Sequence, residues 1–177
     1  MIKRALFLPL FLAVLTLPAQ ASESNPLYEQ LSRAKEVKVY VAVPTDPSGT
    51  KLDTEAFRKA IEQALRDRKS IHFAPVASES EAILVVDSEL KGFGFSLTDP
   101  VDMLAGVGMA AMDAAKVEHF ASVDAKMTVR EPSGAVKWTD TIHASITDPA
   151  ITETESREKI LPRAAEYFVR TAFGKRK

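Results

Sequence analysis

Ala121-Ser122-Val123-Asp124-Ala125-Lys126-Met127-Thr128-Val129-Arg130-Glu131-Pro132-Ser133-Gly134-Ala135-Val136-Lys137-Trp138 is the stretch on which the fold turns. Ala121, Val123, Ala125, Met127 and Val129 alternate with Ser122, Asp124, Lys126, Thr128 and Arg130, a period of two that places the apolar set on one face of a strand. Pro132-Ser133-Gly134 interrupts, and alternation resumes through Val136, Trp138, Ile142, Ala144 and Ile146. Lys137, Thr139, Thr141, His143 and Ser145 take the other face, and Asp140 breaks the apolar row. Two long strands around a short Pro/Gly turn predict an antiparallel hairpin. Trp138 is the expected core anchor, because an indole buries a large apolar area.

Working outward, Val37, Val39, Val41 and Val43 alternate with Lys38, Tyr40 and Ala42 and predict a half-buried strand that stops at Pro44. Asp53 is placed to cap a helix whose apolar residues Phe57, Ile61, Ala64 and Leu65 recur at helical spacing up to Arg68. Ile71 and Phe73 suggest a short strand closed by Pro75. Ala82-Ile83-Leu84-Val85-Val86 has the continuous apolar character of a central strand. After the hairpin, Thr152 with Glu155 has capping-box spacing. Ile160, Leu161, Ala164, Phe168, Ala172 and Phe173 form the stripe of a last helix, which Pro162 should kink or split. The expected fold is α+β: a single, mainly antiparallel sheet with two helices packed on one face, in the order β-α-β-β-insert-β-β-α.

The insert, 92–117, does not follow this pattern. Gly92-Phe93-Gly94-Phe95-Ser96 is followed by a segment of small residues and methionines, where Gly106 and Ala110 would share a helix face. Met103, Leu104, Gly106, Val107, Gly108, Met109 and Met112 are the candidate interaction surface; the alternative is a helix that merely covers its own sheet. With Asp102 and Asp113 the segment is too short and too charged to cross a bilayer.

The chain opens with Lys3 and Arg4, an apolar run from Ala5 to Leu17, and Pro18-Ala19-Gln20-Ala21, the layout of a cleaved secretory signal peptide over 1–21. The alternative is an uncleaved N-terminal anchor. The mature chain would start at Ser22, with a flexible leader over 22–35, one domain over 36–173 and a basic tail over 174–177. Cleavage changes the balance from 23 cations against 24 acids to 21 against 24, which gives no broad basic surface for nucleic acid. Without a cysteine there is no disulfide framework, thiolate metal site or lipidation site. The expectation is a periplasmic protein that is exported and not lipidated.

No catalytic, cofactor or metal site is assigned. His72, His119 and His143 show no zinc spacing, no Gly-x-Ser-x-Gly elbow is present, and Gly92-Phe93-Gly94 lacks the third glycine of a phosphate cradle. Asp87 with Glu89 and Asp99 with Asp102 are carboxylate pairs of a kind that surface charge density produces by chance.

The phrase Val129-Arg130-Glu131-Pro132-Ser133-Gly134-Ala135-Val136-Lys137-Trp138, after a strand-helix-strand-strand lead, resembles small bacterial envelope proteins with a TolB-N-terminal-like domain. These include the curli-export lipoprotein group and the outer-membrane activators of peptidoglycan synthases. The chain departs from them in lacking a lipidation cysteine. The resemblance implies a non-enzymatic part of an envelope assembly, sometimes oligomeric, and transfers no functional residue. The expected function is an accessory or adaptor protein acting by protein contact through the insert and an exposed strand edge. Its partner would be an envelope protein or a second copy, with peripheral membrane contact and no nucleic acid. The alternative is a periplasmic carrier of a small apolar or lipid ligand, with the insert capping a pocket against the sheet; a hydrolase ranks third.

Overall fold

The computed structural model describes residues 26–98 and 118–174. Five strands form one sheet in the order β2-β1-β3-β4-β5. They are β1 (Val37–Val41), β2 (Phe73–Pro75), β3 (Leu84–Thr98), β4 (Glu118–Arg130) and β5 (Val136–Asp148); the α-helices among the described residues are α1 (Pro26–Ser32), α2 (Thr54–Arg66) and α3 (Glu153–Phe173). The α+β class holds, and the Ala82–Val86 run enters the central strand. The sheet, however, is mixed: β1 pairs parallel with both β2 and β3, whereas β3, β4 and β5 form an antiparallel meander. The parallel half arises because α2 carries the chain back to start β2 in the direction of β1.

The alternating residues divide as their pattern requires. Val37, Val39, Val41, Leu84, Val86, Leu90, Val123, Met127, Val129 and Ile142 are all buried in one core, with Phe57, Ile61 and Leu65 from α2 and Ile160, Ala164, Phe168 and Phe173 from α3. Each of these side chains larger than alanine, withdrawn from water, contributes roughly 1.5–3 kcal/mol. Rings link the sheet's two edge strands beneath the helices. Trp138 of β5 lies 5.7 Å from Phe168, Phe168 lies 5.8 Å from Phe173, and Phe173 lies 4.9 Å from Phe73 of β2.

Local capping follows the sequence closely. Asp53 accepts from the Ala56 amide at 2.9 Å. The Thr152 hydroxyl accepts from the Glu155 amide at 3.2 Å while the Glu155 carboxylate accepts from the Thr152 amide at 2.9 Å. The hairpin turn closes with the Glu131 amide donating to Ala135 at 2.9 Å, and Gly134 adopts a φ of +93°, a conformation that other residues resist.

Three expectations need correction. Pro162 does not divide α3, which runs unbroken for 21 residues; the proline sits on the exposed side, where a missing helical hydrogen bond can be replaced by water. The leader expected over 22–35 contains α1, whose Leu27 and Leu31 are buried in the core. Gly92–Ser96 belongs to β3 and pairs with β4, so the insert does not begin at 92. A register shift between Leu90 and Gly92 puts Phe93 and Phe95 opposite Val123 and Ala121, on the core side, and both glycines on the far side.

Candidate functional site

One face of the sheet carries the helices; the other is polar. On that second face Asp87 and Glu89 of β3 share a side, as their spacing predicts, and each has a cationic neighbour. The Arg130 guanidinium donates to Asp87 and to Glu79, both at 2.6 Å, and Lys91 lies 2.7 Å from Glu89. The hydrogen bond it donates to Glu79, followed by that to Asp87, holds the Arg130 guanidinium even more firmly protonated than usual, and Arg130 in turn holds the Glu79 carboxyl below the ordinary carboxylate range. This knot ties the 79–81 turn to β3 and β4. It engages carboxylates that would otherwise be open to a hard cation, and no cluster of three metal-ligating side chains occurs among the described residues. Arg130 and Glu79 lie far apart in sequence, and no local motif could have joined them.

The histidines do not converge. His143 contacts Asp124 at 2.8 Å on the polar face, His72 lies 3.8 Å from Glu36, and the His119 Nδ1 meets the Ile151 carbonyl beside the Phe95 ring. Asp99, Asp102 and the candidate interaction residues Met103, Leu104, Gly106, Val107, Gly108, Met109 and Met112 lie outside the described residues. On the helical side, α2 and α3 enclose two adjoining grooves of about 400 and 500 Å³ that share Ala60 and Pro162. Both have charged rims: Asp67, Arg68 and Glu166 in one, Lys51, Asp53 and Arg157 in the other.

The edges of the sheet differ. β2 is three residues long and ends at Pro75, a blunted edge that offers little to a further strand. β5 is thirteen residues long, lies last in the order and, among the described residues, pairs with β4 alone. The Thr128 and Thr139 hydroxyls approach to 3.2 Å, the closeness of a narrow, non-hydrogen-bonded pair. The Thr141 amide donates to the Asp140 carboxylate at 2.8 Å. Thr139, Thr141, His143, Ser145 and Thr147 therefore direct their backbone N–H and C=O groups away from β4, and Asp140 occupies one of the donors. What the arrangement offers chemically is a row of peptide groups ready to accept a strand.

No protein family and no curated protein matches the sequence. Solved structures do match. Protein XCC0632 from Xanthomonas campestris, of family DUF330, is 11% identical, with 76% of this chain and 82% of that one covered and a TM-score of 0.51. CT253 from Chlamydia trachomatis is 10% identical over 77% and 96% of the two chains, with a TM-score of 0.49. A minor lipoprotein from Acinetobacter baumannii is 9% identical over 76% and 90%, with a TM-score of 0.43. The neighbours are thus small bacterial proteins, some of them lipoproteins, and what this chain shares with XCC0632 is its α+β fold.

Proposed function

We propose that this chain is a non-enzymatic accessory protein of the bacterial envelope, exported by cleavage after residue 21, not lipidated, and acting by protein contact. The observation that carries the reading is the outer edge of β5, a long row of backbone donors and acceptors on a sheet whose other edge is three residues long. Such edges are ordinarily shortened, bulged or covered unless another chain uses them. The resemblance of the hairpin to TolB-N-terminal-like envelope proteins and the signal-peptide layout support the compartment.

The test is a photo-crosslinking amino acid placed at Thr141 on the edge and, for comparison, at Lys59 on the exposed side of α2, in cells that export the protein. Discrete protein adducts at 141 and none at 59 are expected. An absence of adducts at 141 rejects contact through the edge.

The carrier reading is favoured by the apolar floor that Ala60, Ala64, Pro162 and Val169 give one groove between α2 and α3. Native mass spectrometry of the freshly purified protein distinguishes it: a retained lipid mass supports a carrier, and the bare polypeptide mass supports the contact reading.

A further inference from the structure

We infer that the occupant of the β5 edge is a second copy of this chain, its own β5 running antiparallel across a two-fold axis at Ile142. The inference rests on the contact reading and commits it to a partner. A strand added here needs outward N–H and C=O groups at alternate positions. It also needs an apolar row on the side of α3 and a polar row on the other. β5 has both: Trp138, Ile142, Ala144 and Ile146 on one side, and Thr139, Thr141, His143 and Ser145 on the other.

Symmetry then limits the register. An axis normal to the sheet keeps the faces together, so outward-directed odd positions must meet odd positions and even must meet even. Centred on Ile142, the pairing sets Thr141 against the partner's His143, Thr139 against the partner's Ser145 and Trp138 against the partner's Ile146. Asp140 meets the partner's Ala144, a small residue that leaves its carboxylate room to stay in water. A centre at Asp140 would oppose two carboxylates, a centre at Thr141 would set Asp140 against the partner's Ile142, and a centre at His143 would set it against the partner's Ile146. Of these centres only Ile142 keeps Asp140 clear of a second carboxylate and of a large aliphatic group, and it sets all thirteen residues of β5 against their counterparts, with Asp148 meeting the partner's Val136 only at the two ends.

The same axis makes the two α3 helices antiparallel. Beside the edge at Ser145–Thr147, α3 presents Lys159, Arg163 and Glu166. Asp140 acts as the gatekeeper of this edge. By holding the Thr141 amide it resists promiscuous strands, and it yields that donor to the partner's His143 carbonyl when the matched strand arrives.

The absence of cysteine from the sequence makes the test direct, because an introduced thiol has only another copy to react with. An equimolar mixture of Thr141→Cys and His143→Cys proteins, mildly oxidised, is expected to give a disulfide dimer that neither gives alone. Facing residues of a hydrogen-bonded antiparallel pair have Cα atoms about 5.5 Å apart, within disulfide range. Light scattering of the unmodified protein at about 100 μM, where a dimer of micromolar affinity is largely formed, should report two copies. Ser145→Pro removes an outward N–H without breaking the β4 ladder and should return the protein to one copy while circular dichroism still shows a cooperative melt. Asp140→Ala should tighten the dimer.

Equal cross-linking by either cysteine protein alone, or a dimer undiminished by Ser145→Pro, overturns the register. A monomer at that concentration that still gives photo-adducts with a different envelope protein at 141 overturns self-pairing and leaves the contact reading in place.

Discussion

Truncating Phe168 to alanine should detach the end of α3 from the sheet. Phe168 is fully buried, 5.7 Å from Trp138 and 5.8 Å from Phe173. Removing a buried phenylalanine costs about 3–5 kcal/mol through lost transfer energy and the cavity left behind. Two ring contacts disappear with it, each of about 0.5–1.5 kcal/mol and already contained in that range. Set against a total stability of about 5–15 kcal/mol, this is a large fraction. For a domain of this size the melting temperature should fall by about 10 °C. The assay is urea unfolding followed by fluorescence, and its reporter is already in place: Trp138 is the sole tryptophan of the chain and forms one wall of the new cavity. Its emission should shift to the red in the folded variant. A loss below about 1 kcal/mol together with unchanged emission would refute the placement of α3 over β5.

A capping residue and a buried hydroxyl give the remaining tests. Thr152→Ala removes the first turn's cap from α3 and should cost about 1 kcal/mol in the same urea assay. Because the Thr152 amide and hydroxyl hold the Glu155 carboxyl below its ordinary range, the cap's stabilisation is fully present above the unfolded value of about 4.3 and is lost as pH falls through the lower folded value. The difference between Thr152→Ala and the unmodified protein should therefore shrink on acidification; a difference that grows would contradict the assignment. Ser88 is buried with no hydrogen-bond partner for its hydroxyl, so Ser88→Ala should be neutral or stabilise by up to about 1 kcal/mol in thermal melts. A loss of more than about 1 kcal/mol would show that the hydroxyl has a role.

Much of this fold is legible residue by residue. The alternation from Ala121 to Ile146 predicts the β4–β5 hairpin and its buried side, and Asp53 and Thr152 mark their helix starts because capping is decided within four residues. Features that depend on distant partners are not legible. The direction of β1 relative to β3 is decided by the path of α2 and the following turn, which leaves no mark on the alternation of either strand. Gly92-Phe93-Gly94-Phe95 looks like a loop because glycine is poor in strands. Yet the shift after Leu90 lets the phenylalanines continue the core row and the glycines lie on the polar face. For the candidate surface, the sequence suggests an exposed strand edge without naming the strand, because the place of β5 at the rim is set by the strand order, and the pairing of Arg130 with Glu79 and Asp87 leaves no local mark.

The meander and its covering helix have unequal reach. Thirteen residues of extended chain span about 44 Å, while the 21 residues of α3 span about 31 Å. The helix cannot shelter the whole length of β4 and β5; its side chains reach Thr147 and Asp148, and the rows nearest Val136 are left as an overhang. Deuterium should enter the backbone of that overhang early and the rows around Ala125 and Ile142 late. The protein would thus keep a slowly breathing body with one more readily opened end at the hairpin turn.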